Sequence, residues 1–143
     1  MAKRKATATW NGGLKGGDGT MALGSGAFEG AYSFKSRFEE GTGTNPEELI
    51  GAAISGCYAM QLSAFLERDG VNSDSVQTEA TVDLGRSDAG PTITTITLAT
   101  TANTPGADEQ QVRKIADEAK QACLVARALA GVETIELDLT VSA

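Results

Sequence analysis

The chain has 143 residues, of which 41% are hydrophobic and 22% are charged. This length and composition predict one soluble globular domain, residues 1–143. The net charge is −7 and the basic residues are scattered beyond the short cluster at positions 3–5, which argues against nucleic-acid binding. No apolar run has the length expected of a signal peptide or membrane span, so we expect a cytoplasmic protein without a membrane partner.

Histidine is absent, and the two cysteines, Cys57 and Cys123, lie far apart in the chain. This composition excludes a zinc-ligand spacing and a Cys–His or Ser–His catalytic pair. We therefore expect no metal and no cofactor, and any nucleophile has to be activated by another kind of group.

The first third of the chain predicts three strands. Residues 3–10 and 20–23 are expected to pair as a loose hairpin around glycine-rich turns. A third strand is predicted over 27–38, because aromatic and charged side chains alternate there, and Arg37 is then expected to face away from the aromatic side.

The stretch 46–68 predicts a long central helix. Asn45 is a good N-cap, Pro46 suits the first helical position, Glu48 completes a capping-box pattern, and Gly70 ends the helix. The helix is about 34 Å long at 1.5 Å per residue. Small residues before the cysteine indicate that another backbone can approach closely there.

The apolar residues of this helix recur at helical spacing. The expected stripe consists of Leu49, Ala53, Cys57, Met60 and Ala64, widened by Ile50, Ile54 and Phe65. The helix is apolar over more of its circumference than one sheet face usually covers. We therefore expect a second subunit to bury the remainder, as in a homodimer.

The rest of the chain predicts an α+β fold. Residues 76–84 and 92–101 are expected to form an antiparallel hairpin. A second amphipathic helix is predicted from the N-cap Asp108 to about Gly131, followed by a one-sided strand over 133–141. The helices are expected to cover a largely antiparallel sheet.

Both cysteines are predicted to lie mid-helix on an apolar face. A lone cysteine in that setting is usually a small buried hydrophobe. Helices on the same sheet can, however, bring two such residues within the roughly 4.4–6.8 Å between Cα atoms that a disulfide needs. In a cytoplasmic chain such a pair is more often transient and catalytic than structural.

A nucleophilic thiol would need a cation nearby, because only the thiolate reacts and the ordinary thiol pKa is about 8.5. Cys57 lies well beyond the helix N-terminus, where the helix dipole has faded. Arg37 is the favoured cation, and Glu47 can hold its guanidinium by a bidentate pair. The alternative for both residues is structural: an exposed strand charge and a carboxylate that stabilises a helix N-terminus.

The segment Gly-Thr-Asn-Pro-Glu-Glu-Leu at 43–49, with Phe-Lys-Ser-Arg-Phe-Glu before it at 34–39 and Cys57 ten residues after Glu47, is distinctive. Together with a second cysteine at 123, it resembles the osmotically inducible protein C / organic hydroperoxide resistance (OsmC/Ohr) family. The early Ala-Thr-Trp-Asn-Gly at 8–12 is similar to the osmotically inducible branch.

The resemblance implies an OsmC-like fold, a mainly antiparallel sheet wrapped on two long helices, in an intertwined homodimer with its active sites at the subunit interface. It implies a thiol-dependent peroxidase of the oxidative and osmotic stress response. Such an enzyme reduces organic hydroperoxides, and hydrogen peroxide less efficiently, to alcohols. The implied reductant is a dithiol such as a lipoylated protein.

The resemblance also assigns roles to four residues. Cys57 is the peroxidatic cysteine that becomes a sulfenic acid, and Cys123 is the resolving cysteine that closes a disulfide with it. Arg37 stabilises the thiolate and polarises the peroxide, and Glu47 orients Arg37.

Two positions depart from the family pattern. Ile54 lies in a segment where relatives commonly carry a histidine, and Leu124 follows Cys123 where a proline is usual. Without that proline we expect Cys123 to lie inside a regular helix and to form the disulfide slowly. These departures leave open a non-catalytic dimer on the same fold that binds a small molecule or lipid, or senses redox state.

Overall fold

The computed structural model describes residues 1–143, which divide into two compact units, Met1–Leu49 and Ile50–Ala143. Both contain strands and helices, and the strands form two separate three-stranded sheets. The predicted α+β class is confirmed. The assignment of 1–143 to a single domain stays a prediction.

The first unit contains an antiparallel sheet of three short strands in the order β1-β2-β3. They are β1, Ala6–Asn11; β2, Asp18–Leu23; and β3, Glu29–Tyr32. The predicted hairpin of the first two strands is confirmed, and its glycine-rich connection spans 12–17.

The third strand is shorter than predicted, because a helix replaces its second half. Residues Phe34–Phe38 form the short helix α1. Ser33 accepts a hydrogen bond from the Ser36 N–H at 3.1 Å, and Ser36 Oγ accepts one from the Ser33 N–H at 2.8 Å. This reciprocal cap satisfies the free amides at the start of a helix, so the prediction of a strand over 34–38 was wrong.

The long helix α2, Pro46–Arg68, has the predicted bounds. Asn45 Oδ1 accepts a hydrogen bond from the Glu48 N–H at 2.7 Å, which confirms the N-cap. The Glu48 side chain does not complete the capping box, because it accepts a hydrogen bond from the Thr44 hydroxyl at 2.7 Å. After the helix, Gly70 adopts a φ of 74°, which a glycine tolerates without strain.

The buried face of α2 differs from the predicted stripe. Its fully buried side chains recur at every fourth position and are Ile54, Tyr58, Leu62 and Leu66. Ala53 and Ala64 of the predicted stripe are exposed, and the Met60 side chain is 76% exposed. The prediction holds for Cys57, Ile50, Ile54 and Phe65, which lie in or against the core. The rest of the stripe was wrong, because α2 is apolar on several sides and periodicity alone could not show which side the core covers.

This apolar character also corrects the expectation about membrane spans. An 18-residue window of α2 has a mean hydropathy of 1.5, so the helix is long and apolar enough to cross a membrane by length and composition alone. Only 28% of that window is buried within the chain. One such helix is weak evidence for a span, since the core helix of a soluble protein can have the same length and composition.

The second unit contains a sheet in the order β4-β5-β6. Strands β4, Ser75–Ser87, and β5, Gly90–Asn103, form the predicted antiparallel hairpin and are longer than expected. Strand β6, Thr134–Ser142, confirms the predicted last strand and lies parallel to β5. From Ile135 onward, partly buried and exposed side chains alternate along β6, as expected of a sheet that is covered on one face.

The second predicted helix is divided into two. Helix α3 covers Glu109–Ala122 and begins at the predicted N-cap Asp108, whose carboxylate accepts a hydrogen bond from the Gln110 N–H at 3.1 Å. Cys123 then leaves the helical conformation, with a ψ of 119°, and a short helix α4 covers Leu124–Ala128. The expectation that Cys123 lies inside a regular helix was therefore wrong, although no proline follows it.

The core of the second unit joins α2, α3 and the sheet. Tyr58 is fully buried and donates a hydrogen bond from its hydroxyl to the Ala116 carbonyl at 3.0 Å, which ties α2 to α3. A Cβ atom at Gly51 would lie 3.5 Å from Val82, so α2 approaches β4 closely there, as the small residues predict. The same prediction does not hold at Gly56, which has open space around it.

Candidate functional site

The structure brings the two cysteines together. Cys57 lies on α2 and is partly buried, whereas Cys123 is fully buried at the break between α3 and α4. Their Sγ atoms are 3.3 Å apart and both thiols are free. This distance is longer than the about 2.05 Å of a disulfide bond, and it suits a thiol that donates its proton to a second sulfur.

Burial raises the pKa of the Cys123 thiol above its ordinary value. The nearby backbone amides of Ala126 and Val125 act in the opposite direction, and the contact with Cys57 raises the pKa further. Cys123 therefore keeps its proton at neutral pH and is the hydrogen-bond donor in the pair. The Cys57 sulfur is the acceptor in this contact.

The sequence prediction missed Tyr58, which helps to hold Cys57 in place. It follows Cys57 directly and its buried phenol anchors that turn of α2 to α3. Burial, with smaller effects of Asp117 and Cys123, raises the pKa of Tyr58, so the phenol stays neutral and keeps its hydrogen bond. A signal was present in the sequence, since Ile54, Tyr58, Leu62 and Leu66 form an apolar row at intervals of four.

In the first unit, Arg37 and Glu47 form a bidentate ion pair. Arg37 Nη2 donates to Glu47 Oε1 at 2.8 Å, and Nε lies 3.1 Å and 3.3 Å from the two carboxylate oxygens. The Glu47 side chain is 11% exposed and that of Arg37 is 40% exposed. Because only Nε and Nη2 make hydrogen bonds, Nη1 remains a free, charged donor with a fixed direction.

Hydrogen bonds around α1 hold this pair in place. The Ser36 hydroxyl donates to the Thr44 carbonyl at 2.7 Å, and the Asn45 side chain donates to the Ser36 carbonyl at 3.0 Å. These bonds join the helix that carries Arg37 to the start of the helix that carries Glu47. The local sequence therefore fixes both members of the ion pair through backbone contacts.

Arg37 lies on the aromatic side, contrary to the expectation from a strand. Its guanidinium carbon is 5.2 Å from the centre of the Phe38 ring, a cation–π distance. It lines a pocket of about 210 Å³. The other residues around this aromatic pocket are Trp10, Leu14, Tyr32, Ser33, Phe34 and Phe38.

The four residues predicted for the site thus form two pairs. Arg37 and Glu47 belong to the unit Met1–Leu49, and Cys57 and Cys123 belong to the unit Ile50–Ala143. No group of three or more His, Cys, Asp or Glu side chains lies close enough together to hold a metal ion. The cysteine pair can supply a thiol that is hydrogen-bonded to a second sulfur, and the ion pair can supply a cation with a fixed direction.

Comparison with known proteins is consistent with this arrangement. The chain is 40% identical over 137 residues to the peroxiredoxin OsmC of Escherichia coli, covering 95% of this chain and 96% of that protein. A solved organic hydroperoxide resistance protein from Elizabethkingia anophelis superposes with a TM-score of 0.75 at 25% identity, covering 99% of this chain and 96% of that one.

An OsmC-like protein from Mycoplasma pneumoniae superposes with a TM-score of 0.78 at 15% identity, with 99% of both chains covered, which shows the shared fold. Residues 39–138 match the family model described as OsmC-like protein. The chain therefore belongs to the OsmC-like protein family, and its similarity to the Escherichia coli protein supports the OsmC branch.

Proposed function

We propose that this protein is a cysteine-based peroxidase that reduces organic hydroperoxides to alcohols. The observation that carries the proposal is the pair of free thiols 3.3 Å apart, one of them buried and protonated. Membership of the family and 40% identity to a protein named as a peroxiredoxin support the activity. The named organic hydroperoxide resistance protein with the same fold supports the substrate class.

In the first step, the Cys57 thiolate attacks the terminal oxygen of the hydroperoxide. An S–O bond forms and the O–O bond breaks, so that sulfur loses two electrons to the peroxide. The alkoxide takes up a proton and leaves as an alcohol, and Cys57 becomes a sulfenic acid. The S–H of Cys123, which donates to the Cys57 sulfur, stabilises negative charge there before the attack.

In the second step, Cys123 resolves the sulfenic acid. Its sulfur attacks the oxidised Cys57 sulfur, an S–S bond forms, and the hydroxyl leaves with the thiol proton as water. The helix break supports this role, because Cys123 lies at the end of α3 with a ψ of 119° instead of inside a continuous helix. A dithiol, such as a lipoylated protein, then reduces the disulfide by two thiol–disulfide exchanges.

Arg37 and Glu47 serve the first step in this proposal. The Nη1 group of Arg37 donates to the peroxide and to the thiolate, and so stabilises the charge that develops on the leaving oxygen. Glu47 holds Nε and Nη2, so that the guanidinium keeps one direction. Support comes from the bidentate geometry and from the residue pattern shared with the family.

The working assembly in this proposal is a homodimer, and its setting is the cytoplasm under oxidative or osmotic stress. The exposed apolar side of α2, with Met60 76% exposed, supports a second copy as its cover. Met60→Asp is then expected to yield monomers in analytical ultracentrifugation. Asn72→Asp, which adds the same charge at another exposed position, is expected to leave the dimer intact, and identical sedimentation of both variants would count against this interface.

The test of activity is consumption of cumene hydroperoxide by the reduced protein with dihydrolipoamide, with hydrogen peroxide in parallel. We expect turnover that favours the organic peroxide and that disappears in Cys57→Ser. Cys123→Ser is expected to react once and to accumulate sulfenic acid, which a dimedone probe detects. If wild-type Cys57 stays reduced in excess peroxide, the activity is absent; if Cys123→Ser cycles normally, Cys123 is not the resolving residue.

A further inference from the structure

The aromatic pocket of the first unit is lined by two pairs of aromatic side chains. Trp10 and Tyr32 form one aromatic pair, with ring centres 5.2 Å apart and planes tilted by 54°. Phe34 and Phe38 form a second, with ring centres 5.1 Å apart and a tilt of 48°. Two tilted pairs around one cavity offer both faces and edges, which a further aromatic ring can contact in its preferred geometries.

The glycine-rich connection between β1 and β2 supplies a fixed wall of this pocket. The Gly17 N–H donates to the Gly13 carbonyl at 2.8 Å, and the Trp10 indole N–H donates to the same carbonyl at 3.3 Å. A side chain at Gly17 would collide with the Gly13 and Asn11 carbonyls, so only glycine permits this packing. The turn presents Leu14, which lines the pocket although 63% of its surface is exposed.

The size of the pocket limits its occupant. Its volume is about 210 Å³, below the about 300–1,000 Å³ of pockets for drug-sized ligands. A single substituted ring suits this space, whereas a long acyl chain exceeds it. Arg37 lines the same pocket and its Nη1 has no hydrogen-bond partner, so a ligand with oxygen atoms next to its ring suits both the apolar and the polar parts of the lining.

We propose that the aromatic pocket selects compact, ring-bearing hydroperoxides over long-chain acyl hydroperoxides. The ring lies among Trp10, Tyr32 and Phe34, with Leu14 closing the outer side, and the peroxide oxygens accept from Arg37. The selection among substrates rests on the proposed peroxidase function. The binding of the ring does not, because it needs neither thiol.

Trp10 is the single tryptophan of the chain, so its fluorescence reports occupation of the pocket directly. We would titrate the full-length Cys57→Ser protein with 2-phenyl-2-propanol, the alcohol that corresponds to cumene hydroperoxide, and with nonan-1-ol, which has the same number of carbon atoms. Saturable change with the aromatic alcohol at lower concentration than with the linear one is expected. Equal or tighter binding of nonan-1-ol would overturn the proposal.

Leu14→Ala tests the wall without threatening the fold, because Leu14 is largely exposed. We expect it to weaken binding of 2-phenyl-2-propanol about threefold or more, since apolar contact area is lost. Leu23→Ala, at another exposed leucine that lies outside the pocket, is the control and is expected to bind as the parent does. An unchanged affinity in Leu14→Ala would remove this wall from the site.

Measurements of turnover separate this inference from the proposed function. In the otherwise unaltered protein, Leu14→Ala is expected to raise the KM for cumene hydroperoxide with little change in kcat, and to leave the KM for linoleic acid hydroperoxide unchanged. If no peroxide is turned over but the aromatic alcohol still binds, the peroxidase function fails and the pocket remains. If turnover is normal and both KM values move together, the selectivity fails and the function remains.

Discussion

The two units hold their pairs of candidate site residues by different forces. In Met1–Leu49, Arg37 and Glu47 are positioned by hydrogen bonds, from the reciprocal serine cap of α1 to the bidentate ion pair itself. In Ile50–Ala143, Cys57 and Cys123 are positioned by apolar packing around a continuous buried cluster. The difference follows from the groups, because a partly exposed cation needs directional partners and a sulfur needs close packing.

This contrast has a consequence for mutation. The ion pair should be sensitive to the loss of one charge and tolerant of changes in volume, whereas the thiol pair should show the opposite behaviour. The following variants test the contrast from the largest expected effect to the smallest.

Arg37→Ala removes the free donor and is expected to slow oxidation of Cys57 by cumene hydroperoxide about 10²–10³-fold, as loss of a preorganised donor does in other enzymes. Stopped-flow kinetics of the reduced protein measure this rate. The unfolding free energy should change little, because the ion pair is partly exposed and such pairs contribute about 0–1 kcal/mol.

Arg86→Ala, which removes an exposed arginine that forms no ion pair, is the control and should react at the parent rate. Arg37→Lys should recover only part of the rate, since an ammonium group cannot make the bidentate contact. A full recovery in Arg37→Lys would show that charge alone suffices.

Leu62→Ala is expected to lower the free energy of unfolding by about 2–5 kcal/mol, because Leu62 is fully buried in the cluster that supports Cys57. Urea denaturation measures the change. Leu84→Ala, at a leucine that is 39% exposed, should lower it by less than about 1 kcal/mol. Similar losses in the two variants would contradict the observed burial.

Glu47→Gln is expected to slow Cys57 oxidation by about tenfold, less than the loss of Arg37, because the guanidinium keeps its charge and loses the partner that fixes its direction. The same stopped-flow assay applies. Glu48→Gln, one position along, changes a carboxylate that binds the Thr44 hydroxyl and leaves the ion pair intact, so its rate should stay near that of the parent.

The smallest effect is on stability at alkaline pH. Because folding raises the pKa of the Cys123 thiol, the unfolded chain loses this proton at a lower pH than the folded one. This contribution to stability is complete below the ordinary thiol pKa of about 8.5 and is lost as the pH rises through the raised pKa of the folded chain. Cys123→Ala should therefore lose less stability than the reduced parent above pH 9.0, as urea denaturation at several pH values measures. Parallel curves would contradict the raised pKa.

The elements with strong local signals were predictable from the sequence. Asn45, Pro46 and Gly70 mark the ends of α2, and the structure agrees at both ends. The hairpin of β4 and β5 and the strand β6 were also predicted. A strand that is buried on one face has apolar and polar residues at alternating positions, and this pattern is visible in the sequence. The α+β class follows from the order of these elements.

The sequence predictions failed where the same residues were compatible with two structures. Phe34 and Phe38 suit both a strand with aromatic residues at even positions and one turn of a helix, and only the hydrogen bonds of Ser33 and Ser36 decide between them. The predicted orientation of Arg37 was wrong for the same reason. In α2, nearly uniform hydrophobicity left the buried side undefined, and Tyr58 and Leu62 rather than Met60 face the core.

The break at Cys123 had no signal that sequence reasoning used. Residues on both sides of it are good helix formers, and no glycine or proline interrupts them. A full-length helix would be the local preference of this segment. The break is therefore set by the tertiary environment, in which Cys123 is fully buried beside Cys57.

This interruption has a consequence for motion. Helix α4 has five residues, none of them fully buried, and only Val125 and Ala126 pack against the core, so it is too short to be stable by itself. We therefore expect its amides to exchange with deuterium before those of α3. Earlier exchange in α4 would indicate that the segment directly after Cys123 opens while the core around the two sulfurs stays folded.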